Sequence, residues 1–177
     1  AKAIGTAAAG NFLVAEKLLD AVKSGQTLDL KAGVPLSLDD AYEMDFKQRF
    51  PDYESKDSRS TWRIARTVFE IVIATQSSER ITRSQLDVVL ESSMPEQSFR
   101  TLLQNLSRTF VTVTHYWHDY MYVVLHHQSL ETWLTSTTSA FRVDPVRGHR
   151  LLAAACSHAL ADESSPFHTT KSPADFV

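Results

Sequence analysis

Hydrophobic positions along the chain recur mostly with helical spacing. Phe12, Ala15, Leu19 and Val22 share one helical face, and Gly25 follows as a stop signal. After the break "LKAGVPL", the run Ser37-Leu-Asp-Asp40 predicts a second helix carrying Leu38, Tyr42 and Phe46 at a spacing of four. Asp39 and Asp40 fall in its first turn, where the helix dipole favours negative charge. A polar connection, "FPDYESKDSRS", leads into "TWRIARTVFEIVIATQ". There Trp62, Ala65, Phe69 and Val72 line one face and Ile64, Val68 and Ile71 another, as in a helix packed from two sides.

Two shorter helices follow, each announced by a capping box. Thr82-Arg-Ser-Gln85 precedes Leu86, Val89 and Leu90, and Ser93-Met-Pro-Glu96 precedes Phe99, Leu102, Leu103 and Leu106. The period then changes. "FVTVTHY" and "MYVVLHH" are rich in β-branched and aromatic residues and flank the polar turn around "WHD", which predicts a hairpin. "SLETWL" reads as a short helix with Ser129 as its N-cap and with Trp133 and Leu134 as anchors onto the preceding helices and hairpin. Asp144-Pro145 opens a last helix running to about Leu160. Helix, short helix, corner, helix, hairpin is the order of a winged helix-turn-helix. The predicted class is mainly α: a helical arm over residues 1–57, a winged-helix domain with a small β-hairpin wing over 58–140, and a C-terminal helix and linker over 141–177.

Composition narrows the function classes. A hydrophobic share of 43% beside 22% charged residues is that of a folded domain rather than a disordered chain. The net charge of −3 supplies no overall field for a polyanion, which argues against nucleic acid as the partner. No apolar run approaches the ~18 residues that span a membrane, and no signal-peptide pattern opens the chain. The single cysteine, Cys156, has no partner for an internal disulfide and falls in an apolar helical run, so it is expected to be a small buried hydrophobe in a reducing, cytoplasmic setting. The chain opens on a helix already under way and closes on an aperiodic tail, as a piece of a longer protein would.

Four sets of residues invite chemistry. Arg100, Gln104 and Arg108, with Gln97 nearby, share a face of the second short helix and have side chains that can read base edges or phosphates; they define the alternative of a DNA-binding transcription regulator. Against it, the wing segment "WHDYMY" has no basic residue. His115, His118, His126 and His127 suggest a metal, with His115 and His126 as cross-strand neighbours, but no cysteine or carboxylate pair stands at zinc-site spacing. Ser129 follows His127 by two residues, yet lacks the flanking glycines of a nucleophile elbow. Five glycines include no phosphate-cradling G-x-x-x-x-G-K-[ST] pattern. No residue is therefore nominated as catalytic or as a metal ligand, and the chain reads as a non-enzyme.

The motifs themselves resemble a family. "LHHQSLETWLTSTTSAFRVDPVRGHRLLAAAC" is similar to the "F-H-x-S-F-R-E-W-L … F … G-H-x-L-L-A" segment that follows the nucleotide core of NACHT-type signal-transduction (STAND) ATPases, in the version of TANC-like ankyrin-repeat scaffold proteins. His127, Ser129, Leu130, Trp133, Leu134, Phe141, Gly148, His149, Leu151, Leu152 and Ala153 carry the match, with His126 and Glu131-Thr132 departing from it. Upstream, Gly10-Asn-Phe-Leu13, Pro35, Ser37, Leu38 and Tyr42 resemble the helical arm of the same proteins.

The resemblance implies a non-catalytic regulatory and structural module. It would dock on an upstream nucleotide domain that binds ATP or ADP and link that domain to C-terminal protein-binding repeats. Its partners would be these parts of the same chain and other proteins in signalling assemblies, with no cofactor held by the fragment itself. It also implies a role for His127, as the residue that touches the phosphate of bound ADP and so favours a closed state. His149 is expected to be a helix-packing residue.

Overall fold

Helices dominate the structure, and most of their starts are fixed by side chains that satisfy the first free backbone N–H groups. The computed structural model describes residues 2–8, 10–23, 36–55, 60–76, 80–91, 106, 110–114 and 121–161. These form α1 (Lys2–Ala8), α2 (Phe12–Lys23), α3 (Leu38–Arg49), α4 (Thr61–Gln76), α5 (Arg83–Glu91), β1 (Phe110–Thr114), β2 (Met121–Leu125), α6 (Gln128–Thr135) and α7 (Pro145–Ala161). The mainly α class is thus observed. The second capping box at Ser93–Glu96, the apolar positions Phe99, Leu102 and Leu103, and the tail after Ala161 lie outside the described residues. Among the described residues, no helix is long and apolar enough to cross a membrane.

The chain divides into two compact units that interleave along the sequence. One comprises residues 1–63 with 127–142, the other 64–126 with 143–177. Contact therefore does not follow the linear division at 57/58 and 140/141. The segment with α6 groups with the arm, and the first turn of α4 does too.

In the first unit, α1 ends at a corner that two residues build. Gly10 takes a positive φ of 84°, which a side chain disfavours. Asn11 then caps α2, its Oδ1 accepting from the backbone N–H groups of Leu13 (3.0 Å) and Val14 (3.2 Å). The face that α2 buries differs from the one expected. Val14 and Leu18 join Ala7, Ala8 and Ala41 in the core, whereas Phe12 is 82% exposed and Leu19 and Val22 also face solvent. The helix has two apolar rows, and periodicity alone does not say which one its neighbours cover.

Ser37 begins α3 with a reciprocal capping box: its Oγ accepts from Asp40 N–H (3.1 Å), and Asp40 Oδ2 accepts from Ser37 N–H (3.2 Å). The spacing of four then places Tyr42 and Phe46 inside, as expected. Phe46 lies at the middle of an aromatic cluster, with ring centroids 5.6 Å from Phe50, 6.0 Å from Trp62, 4.9 Å from Trp133 and 5.3 Å from Phe141. Trp133 and its helix α6 are thus anchored on α3, where the sequence suggested the helices and hairpin before it.

Asp52, in the turn after α3, accepts from both the backbone N–H and the hydroxyl of Thr61, each at 2.7 Å, at the start of α4. Burial raises its carboxyl, but the hydrogen bonds from Thr61 and Trp62 outweigh that and hold it below the usual value.

In the second unit, every residue of α4 from Val68 to Ala74 is buried, Glu70 included. The carboxylate at Glu70, fully enclosed, accepts from Arg66 Nε (3.0 Å), Arg147 Nη1 (2.9 Å) and the Asp144 backbone N–H (3.3 Å). This satisfies a charge that would otherwise be costly to bury and fixes the start of α7 against α4. Asp144 caps α7 through Val146 N–H (3.0 Å), and Pro145 occupies the first turn.

Thr82 and Gln85 form the expected capping box at α5: Gln85 Oε1 accepts from Thr82 N–H (2.9 Å), and Thr82 Oγ1 accepts from Gln85 N–H (3.2 Å). Strands β1 and β2 pair antiparallel from Phe110↔Leu125 to Thr114↔Met121. On the far edge of β2, Val123 N–H donates to Ile81 O (3.0 Å) and Thr82 bridges Tyr122. The short extended piece before α5 thus extends the ladder, a feature too brief to show in the hydrophobic pattern.

Gly148 of α7 lies tight against α4. A Cβ built on it would lie 2.9 Å from Ala74 Cβ and closer still to the Glu70 carbonyl. In α1, a Cβ on Gly5 would meet nothing within 4 Å. Gly148→Ala should therefore lower stability, by about 2 kcal/mol in urea denaturation, because the clash exceeds the gain in helix propensity. Gly5→Ala should raise it by roughly 0.5 kcal/mol.

Because Asp52 is depressed in the folded chain, the stability it contributes is present above the ordinary carboxyl value of 3.8 and is lost as pH falls through the folded value. Acid unfolding followed by circular dichroism should be less steep in Asp52→Asn.

Candidate functional site

The joint between β2 and α6 places two adjacent histidines differently. His126 is exposed just past the last residue of β2, and His127 begins the first unit's second segment as the N-cap of α6. Its backbone is extended (φ −146°, ψ 138°), as an N-cap requires. The cap is unusual in its acceptor. His127 Nδ1 takes the hydrogen bond from Ser129 N–H at 3.1 Å, in the place where a serine or aspartate oxygen commonly stands. Ser129, expected as the N-cap, is instead the second residue inside the helix. The ring nitrogen of His127, two positions earlier, takes the N–H of Ser129 itself, so the helix starts before the serine that residue type suggests as its cap.

Released from capping, the Ser129 hydroxyl joins two side chains. It lies 2.5 Å from His127 Nδ1 and 2.8 Å from the Tyr42 hydroxyl. Tyr42 comes from α3, 87 residues earlier, and its ring lies 5.4 Å from that of Trp133. The result is a line of three polar side chains running from a buried phenol, through a half-buried serine, to an exposed imidazole. Burial raises the Tyr42 phenol above its ordinary value. The nearby Asp39 and Asp45 carboxylates add to the rise. The phenol therefore stays protonated across the neutral range and remains available as a donor.

The other candidates do not gather into a site. Residues Arg100, Gln104, Arg108 and Gln97, on which the DNA-binding alternative rests, lie outside the described residues, as do His115 and His118. The suggested His115–His126 cross-strand pair conflicts with the register. His126 follows the Phe110↔Leu125 end of the ladder, whereas Thr114, the residue before His115, pairs with Met121 at the other end. Among the described residues, no three His, Cys, Asp or Glu side chains come together to hold a metal ion. Cys156 is exposed on α7 rather than buried, and so is His149, expected as a packing residue. In that helix the buried positions are Gly148 and Ala155.

Sequence reasoning singled out His127 and Ser129 but gave Tyr42 no part in the site. Its place in the pattern that resembles the helical arm was the one signal pointing to it, and that signal carried no role. A partner 87 positions away is supplied by folding alone.

The raised Tyr42 phenol has a measurable consequence. Its stabilising effect is complete below the ordinary value of 10.0 and is lost as pH rises through the higher folded value. Stability measured across alkaline pH should begin to fall only above pH 10, and Tyr42→Phe should make that fall shallower.

No protein family, curated protein or solved structure matches the chain, so its functional reading rests on the geometry of this joint and on the surfaces of the two units.

Proposed function

We propose that the chain is a non-catalytic regulatory and structural module, the helical arm and winged helix of a NACHT-type signalling ATPase or TANC-like scaffold. It docks on a nucleotide-binding domain upstream and links that domain to C-terminal protein-binding repeats. His127 is its contact to the phosphate of ADP.

The observation that carries this reading is the uncovered apolar row of α2. Phe12, Leu19 and Val22 lie exposed on one helical face, and they belong to the same unit as the exposed His127. A row of this kind is what a docking module leaves open when its partner domain is absent. The chain order adds support for the finer fold. Helix α4, the extended Ile81–Thr82, α5 and the β1–β2 hairpin succeed one another as in a winged helix whose wing gains a third short edge.

An imidazole at the start of a helix suits the role assigned to His127. The helix dipole favours an anion there. A hydrogen bond that forms with the diphosphate state and not with the triphosphate state shifts the equilibrium between them by its own free energy.

The test uses a polypeptide extended to include the nucleotide domain. His127→Ala should weaken ADP binding roughly tenfold, as loss of one hydrogen bond to a charged oxygen does, and leave ATP binding unchanged in titration calorimetry. Equal ADP affinities would remove His127 from the mechanism.

A further inference from the structure

We infer that Tyr42 and Ser129 are positioning residues that hold His127 as a single neutral tautomer, with the proton on Nε2 directed to an anionic oxygen. The inference deepens the proposed phosphate contact and rests on that reading for its ligand, but the relay itself stands on geometry.

One group in this set of contacts has a polarity that cannot reverse. A backbone N–H can only donate, and Ser129 N–H donates to His127 Nδ1 at 3.1 Å. Nδ1 is therefore an acceptor, and the neutral ring carries its proton on Nε2. The Ser129 hydroxyl, 2.5 Å from the same nitrogen, must also present its hydrogen to Nδ1. Its oxygen is then left as an acceptor, and the Tyr42 phenol 2.8 Å away donates to it. Every polarity is now set: Tyr42 O–H to Ser129 Oγ, Ser129 O–H to Nδ1, and Nε2–H outward on an exposed ring.

Orientation is fixed as firmly as protonation. Two donors, one from the backbone and one from a side chain, meet the same nitrogen of the ring. The hydroxyl is in turn tied to α3 through Tyr42, whose ring is packed beside Trp133. Second partners of this kind commonly fix the tautomer and angle of a ligand-binding histidine. The arrangement favours an acceptor such as a phosphate oxygen over a metal cation, because the outward nitrogen carries a hydrogen and the other lone pair is already engaged.

Nitrogen-15 NMR of the histidine ring in the full chain tests this without any nucleotide, so failure here is separable from failure of the ADP reading. In the unaltered protein, the His127 Nδ1 resonance should fall in the unprotonated range and that of Nε2 in the protonated range. Tyr42→Phe, which keeps the ring packing, and Ser129→Ala, which keeps the backbone donor, should each shift the Nδ1 resonance and introduce the other tautomer. Ser129→Thr, which restores the hydroxyl, should return the spectrum toward its original form. A protonated Nδ1 in the unaltered protein would overturn the proposal. So would ring resonances that stay in place in both Tyr42→Phe and Ser129→Ala, with amide spectra showing that the variants are folded. A relay confirmed by NMR alongside unchanged ADP affinity in His127→Ala would leave the tautomer lock standing and remove its phosphate ligand.

Discussion

Phe46 is the contact on which the first unit depends. Its ring meets Phe50 from the end of its own helix, Trp62 from the start of α4, Trp133 from α6 and Phe141 from the loop after it. Each such aromatic pair contributes on the order of 1 kcal/mol beyond the area it buries. The cluster draws together residues separated by some of the longest distances in the chain. It explains why residues 127–142 fold with the arm, and why the histidine at the head of α6 is held against α3.

In the second unit the corresponding constraint is the close approach of α4 and α7. Gly148 lets the two backbones come nearer than any side chain would permit, and the buried Glu70 beside it gathers Arg66, Arg147 and the Asp144 N–H. A bare carboxylate there would be strongly destabilising, so the arginines are required by the burial. These contacts hold the start of α7 against α4.

The aromatic cluster of the first unit gives the candidate site its character. His127 is exposed, but it is not a loose surface residue: it caps a helix, and its cap partner is tied to a buried tyrosine. A histidine used as an N-cap also commits its Nδ1, which leaves one nitrogen to address a ligand. The same act that starts α6 therefore decides what the ring can offer.

Much of this was legible in the sequence where a local rule decides. The capping boxes at Ser37–Asp40 and Thr82–Gln85 formed as their spacing requires, and Asp144-Pro145 opened α7, because a cap depends only on residues within one turn. The buried spine of α4 and the apolar positions Tyr42 and Phe46 followed from periodicity for a similar reason.

Only tertiary structure decided which of two apolar rows α2 would bury. It also decided that Cys156 and His149 lie outside, and that His127 rather than Ser129 would cap α6. In each case several local choices cost nearly the same, and contacts from distant segments selected among them. The sequence by itself determined where α3, α5 and α7 begin, because each start is fixed by a cap within one turn. The joining of Tyr42 to Ser129 and His127 belongs to the fold, since no pattern within one element can specify a hydrogen bond made across 87 residues.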